Sequence, residues 1–294
     1  TAILNAQPTF SGAFETTGAR RLLEAGIPVF DLCHPQDIQQ FSDGMMLWLT
    51  DKMAGSWLEE EPCPIASIQR LTWDLLNRRW KAAKARRLEK FVQFTENTWK
   101  HALKDLEHLA KPMVHLPLRT AITGRDAVIV VRGPHFKRDL LALHPYIERE
   151  NPVLIAVDGG ANALLEMDLP PDIIIGDMDS VSTEALMCGA ELVVHAYPDG
   201  TAPGERRIRS LGLTAYHYPM FGTSEDAALM LAYEEGAKQL IVVGSHTGMI
   251  DFFEKGRLGM GSTWLIRMWV GERLIDAKGF HRLTKAFYGG EPEW

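Results

Sequence analysis

The chain has 294 residues, 46% hydrophobic and 23% charged, with a net charge of −7. This composition excludes disorder, collagen-like repeats and small disulfide-held scaffolds, and the length sets an expectation of about two domains. Residues 1–115 carry 14 basic and 14 acidic side chains and residues 116–294 carry 17 and 24, so the second half is a poor partner for nucleic acid and a better one for a cation or a metal–nucleotide complex.

Residues 1–62 read as a small mixed α/β unit. Strands are expected at 2–4, 27–30 and 45–49, a helix at 18–25, and a turn at Asp43-Gly44. Trp48 and Trp57 are expected to pack in a core or interface. Residues 65–110 contain no Gly or Pro and are rich in Leu, Ala, Lys, Arg, Glu and Gln. They predict one helix of about 45 residues, roughly 65 Å long, inside a helical arm at 63–112. From Leu88 the apolar positions Phe91, Trp99, Ala102, Leu106 and Leu109 follow a heptad, which predicts a homodimer or a bent two-helix arm. Arg78 to Lys90 carries seven basic residues against Glu89. It reads either as a solvated helix face or as a patch for a membrane surface or an acidic protein partner.

After a linker at 113–119 the period changes. Apolar strands are expected at 127–131, 153–157, 173–175, 191–195, 215–218 and 240–243. Helices are expected at 139–150, 161–167, 203–211 and 224–237, and a closing hairpin at 264–270 and 273–277. This alternation predicts an α/β domain over 118–280, a parallel sheet covered on both faces, followed by a tail at 281–294. Ligands in such sheets bind beyond the carboxyl ends of the strands.

The turns at those ends carry the candidate site. They are Arg132-Gly133, Asp158-Gly159-Gly160-Ala161-Asn162, Gly176-Asp177-Met178-Asp179-Ser180 after Asp172, Thr223-Ser224-Glu225-Asp226 and Gly244-Ser245-His246. Asp177 and Asp179 alternate across one residue, and paired carboxylates make a hard oxygen site for Mg²⁺ that Asp158 and Asp226 could complete. Adjacent glycines let phosphate approach backbone amides, and the helices starting near 161 and 224 aim their N-termini at the same edge. Arg132, Lys137 and His246 are candidate phosphate contacts. The chain has no GxxxxGK[ST], no GxGxxG after a strand and no GxSxG, which excludes a P-loop and a nucleophile elbow. Three widely spaced cysteines without a CxxC pair predict reduced thiols in a cytoplasmic setting. No 18-residue apolar run is present. The chain opens at Thr1 without an initiator Met, so an excised fragment is expected.

The DGGAN run at 158–162 and the PDIIIGDMDS run at 171–180 resemble the catalytic domain of thiamine pyrophosphokinases over residues 120–260. The resemblance implies transfer of the β,γ-diphosphate of ATP to a hydroxyl, with AMP leaving. It implies Asp158, Asp177, Asp179 and Asp226 as catalytic residues, and Asp177, Asp179 and Asp226 as Mg²⁺ ligands. Nucleotide-binding candidates are Arg132, Gly133, Gly159, Gly160, Asn162, Asp172, Ser180, Thr223, Ser224, Gly244, Ser245 and His246. The family's RxDH motif is replaced here by residues 245–251, and the tail is too short for its thiamine-binding sandwich. Over nearly the whole length, including Val130 to Gly133, Cys188 to Gly200, and the stretch from Glu254-Lys255-Gly256-Arg257 to Gly279, the chain also resembles SteA-like bacterial proteins. Those are described as cytokinetic-ring components, several with a C-terminal membrane anchor. That resemblance implies a nucleotide-binding scaffold or sensor of the division apparatus, membrane-associated at full length, with a diphosphokinase as the alternative.

Overall fold

A computed structural model describes residues 2–12, 17–58, 60–110, 114–248 and 260–288. They divide into two compact units, one ending at Thr95 and the other beginning at Glu96.

The first unit is built on strands β1 (Ile3–Asn5), β2 (Val29–Leu32), β3 (Leu47–Leu49), β4 (Met53–Leu58) and β5 (Glu61–Arg70), with helices α1 (Gly18–Glu24) and α2 (Trp73–Ala85). The sheet order is β1-β2-β5-β4-β3. Val29, Leu71, Leu76 and Ala83 fill one core with Phe10, and Phe30, Leu32, Ala54, Ala66 and Ile68 fill another. Trp48 is half-buried and donates its indole N–H to the Ser56 carbonyl, whereas Trp57 is exposed.

The single helix expected over 65–110 is not formed. Residues 61–70 are strand β5, with Ala66 and Ile68 buried and Ser67 and Gln69 exposed, a period of two that the helix-forming composition around it obscures. Pro62 and Pro64 lie where β5 pairs only with β4, so their missing N–H groups break no ladder. Thr72 caps α2 by accepting from the Leu75 N–H at 3.2 Å. The chain then turns at Arg86 and continues as α3 (Arg87–Leu109). Within the basic run, Arg79 is drawn inward. It lies 3.6 Å from the buried Asp31 and donates to the Phe10 carbonyl at 2.7 Å.

The second unit holds a seven-stranded, wholly parallel sheet: β6 (Ala127–Val130), β7 (Val153–Val157), β8 (Ile173–Gly176), β9 (Glu191–Ala196), β10 (Tyr216–Pro219), β11 (Leu240–Val243) and β12 (Leu274–Asp276). Its order is β10-β9-β8-β7-β6-β11-β12. The six expected strands all form, five as buried or nearly buried runs and the edge strand β10 with only Tyr218 buried. The expected closing hairpin does not form. Residues 261–269 are helix α9 (Gly261–Trp269), and β12 joins the sheet parallel to β11. A hairpin would require antiparallel pairing, whereas Ile266 and Val270, four apart, share one buried helical face.

One face of the sheet is covered by α4 (Phe136–Glu150), α5 (Gly160–Leu165), α6 (Thr183–Leu186) and α7 (Glu205–Ser210). Helix α10 (Phe280–Tyr288) packs on α4. The other face is covered by α8 (Ser224–Glu234), α9 and the end of α3 through Leu109. At Gly261 a Cβ would sit 2.5 Å from the Ala102 amide nitrogen, so glycine permits the close crossing of α9 over α3. Along α3, Phe94, Ala102 and Leu109 are buried while Leu88, Phe91, Trp99 and Leu106 are exposed, so the expected heptad is split between two faces. Of the described residues, no helix is long and apolar enough to cross a membrane. Cys33, Cys63 and Cys188 are free thiols. Pro112, Met249-Ile250-Asp251, Glu254-Lys255-Gly256-Arg257 and the tail from Gly289 lie outside the described residues.

Candidate active site at the carboxyl edge of the sheet

Two neighbouring strand ends build the centre of the site. Strand β7 ends at Val157, and Asp158 follows at φ 47°. Strand β8 ends at Gly176, whose φ is 150°, and a Cβ there would stand 1.9 Å from Asp158 Oδ1. Only glycine lets the Asp158 carboxylate lie across that turn. Asp158 Oδ1 accepts the Met178 N–H at 3.1 Å, and Asp177 Oδ1 accepts the Asp179 N–H at 3.1 Å. The two sequence runs interlock: Gly159 N–H donates to Ser180 Oγ at 2.9 Å, and Ser182 N–H donates to Asn162 Oδ1 at 2.9 Å.

Burial, and then the neighbouring charge of Asp177, push the Asp158 carboxyl up to about 6. Ser224, the first residue of α8, hydrogen-bonds to Asp158, so the amino end of that helix reaches the same point. A Cβ on Gly159 would meet the Arg132 guanidinium carbon at 2.7 Å, which places Arg132 beside Asp158. Asp158, Gly159, Asn162, Asp177, Ser180, Ser224 and Arg132 are thus brought together at one edge.

Other expected residues are placed differently. Asp226 is fully buried. With Thr223 it forms the capping box of α8, and its Oδ2 accepts from the Thr223 N–H, Ser262 Oγ and Thr263 Oγ1. Burial pushes its carboxyl well above the ordinary range. Among the described residues no group of three or more His, Cys, Asp or Glu stands ready to hold a metal, so Asp177, Asp179 and Asp226 are not gathered into one ligand set. Asp172 stands at the amino end of β8 and accepts the Leu154 N–H at 2.8 Å, at the opposite edge of the sheet. Ser245 is buried and donates to Asp276. The His246 N–H donates to Glu225, which also pairs with Arg267 at 3.2 Å. A Cβ on Gly133 would meet the Gly244 carbonyl oxygen at 2.1 Å, so these two turns press on each other. Lys137 pairs with Glu166 on the surface.

Three features escaped sequence reasoning. Arg207 on α7 donates to the carbonyls of Met178, Asp179 and Val181, the last at 2.5 Å. It therefore fixes the acidic turn from below, and Met178 in that turn is buried at φ 65°. His195, near the end of β9, donates from Nε2 to the Met220 carbonyl at 2.9 Å. At the end of α3, His108 stacks on Phe221 with centroids 5.8 Å apart, and burial pushes the Asp105 carboxyl up against the opposing charges of His108 and His101. Neither a lone arginine in a short helix nor a histidine in an apolar strand stands out before the chain is folded.

This arrangement sets two mutually repelling carboxylates beside glycine-rich turns and the amino end of α8. The chain is 30% identical over 152 residues to 6-hydroxymethyl-7,8-dihydropterin pyrophosphokinase of Methanocaldococcus jannaschii, over 45% of this chain and 63% of that protein. It is 33% identical over 115 residues to the protein of the same name from Pyrococcus furiosus, over 34% of this chain and 49% of that one. The chain thus spans less than two thirds of either relative. A solved thiamine pyrophosphokinase from Bacillus subtilis aligns with a TM-score of 0.32 at 22% identity, over 51% of this chain and 60% of that one. Residues 145–252 match the model of the thiamin pyrophosphokinase catalytic domain, so this stretch is similar to that family.

Proposed function

We propose that the second unit is an ATP-dependent diphosphokinase acting on a hydroxymethyl group carried by a flat heterocycle. The observation that carries this reading is the Asp158–Asp177 pair, set between glycine-rich turns inside the matched region. Burial first, and then repulsion from Asp177, lift the Asp158 carboxyl to about 6, and a cation beside the pair relieves that repulsion. The donors are hard oxygens, which suits Mg²⁺ with water completing its shell. When bound, the metal would neutralise charge on the transferring phosphates. Asp158 and Asp177 would hold it, with Asp179 one step further along the turn. Arg132 and the amino end of α8 are placed to contact phosphate, and Gly159 to let the chain come close.

The acceptor follows from the relatives, whose names specify a hydroxymethyl dihydropterin. A pterin alcohol is therefore the first candidate and thiamine the second. The comparisons favour transfer over a cell-division scaffold. Incubation with ATP, Mg²⁺ and each alcohol should release AMP rather than ADP. Release of no AMP with either alcohol contradicts the reading.

A further inference from the structure

Diphosphate transfer to an alcohol needs a group that takes the hydroxyl proton, and Asp226 is buried with one oxygen fully engaged. We propose that His195 is that proton acceptor, a role that rests on the diphosphokinase reading above. In the sheet register Gly176 pairs with Val194, so His195 is the next residue along from the β8 end where Asp177 begins. His195 itself pairs with Tyr218, two residues before Met220. It alternates with Val194 and shares its face with Val193, which lies in the core beneath α8.

The hydrogen bond to Met220 fixes the tautomer. A carbonyl only accepts, so Nε2 carries the hydrogen and Nδ1 of the neutral ring keeps its lone pair. Among the described residues Nδ1 takes no hydrogen bond, and the ring is half-buried rather than sealed. Burial holds the imidazole below its ordinary value, against the pull of the Met220 carbonyl and of the Asp226 and Asp177 charges. The ring is therefore neutral at neutral pH.

The step balances as follows. The acceptor O–H proton moves to His195 Nδ1 while the alcohol oxygen bonds to the β-phosphorus of ATP. The bond from that phosphorus to the α,β-bridging oxygen breaks, and the bridging oxygen leaves on AMP. The imidazolium then returns its proton to water.

The test compares wild type with His195→Gln and His195→Ala, using ATP, Mg²⁺ and 6-hydroxymethyl-7,8-dihydropterin or thiamine. Glutamine retains an N–H donor for Met220 but no basic nitrogen. We expect kcat of His195→Gln to fall by about 10²–10⁴-fold, with KM for ATP little changed and the melting temperature near wild type. Added imidazole should restore turnover to His195→Ala and not to His195→Gln. A wild-type kcat in His195→Gln overturns the assignment of His195 alone. Wild type that releases no AMP with either alcohol overturns the diphosphokinase reading and the His195 role with it.

Discussion

Asp158 is the residue on which the site's electrostatics turn. Its folded value, about 6, lies above that of an unstructured aspartate. The native state therefore binds the extra proton, and the favourable contribution is present at low pH and lost as pH rises toward 6. Replacing it by asparagine should flatten that decline and raise stability at neutral pH by about 1–3 kcal/mol. Thermal melts from pH 4 to 8 check this. Added Mg²⁺ should raise the wild-type melting temperature at neutral pH and leave Asp158→Asn unmoved. That Asp158, Gly159 and Asp177 share one edge of the sheet is legible in the sequence, because strand-end position and glycine spacing are local properties. Asp226 stands at the same kind of position, and the structure holds it inward in the Thr223–Asp226 capping box of α8. His195 and Arg207 draw their meaning from neighbours 25 and 26–29 residues away, which no local pattern encodes.

Elements place these residues, and α7 shows how. The helix is six residues long, too short to be stable alone. Gly204 lets its start approach the Asp177 carbonyl, where a Cβ would be 2.4 Å from the oxygen. Arg207, three residues on, then spans three carbonyls of the acidic turn. Arg207→Ala should leave the secondary structure intact by circular dichroism, speed amide exchange at 178–181 by at least about tenfold, and lower kcat. Unchanged exchange in that turn would contradict the role given to Arg207. The parallel sheet was readable from its apolar runs, because strands buried on both faces cannot hide their composition. The helical arm was not. Strand β5 is amphipathic with period two and sits beside 36 helical residues in α2 and α3, so composition averaged over the window masked it.

At the scale of the whole molecule, the acidic second half is the half that holds the carboxylate pair, while the basic run belongs to α2 and the start of α3. Exposed Leu88, Phe91, Val92, Trp99, Leu103 and Leu106 run along one face of α3. The central claim is diphosphate transfer, and the most direct measurement is the mass of the acceptor after reaction. With ATP, Mg²⁺ and the hydroxymethyl dihydropterin, or thiamine should the pterin be refused, the account predicts an acceptor diphosphate and AMP in equal amounts, both lost in Asp177→Asn. An unmodified acceptor, or ADP in place of AMP, would contradict it.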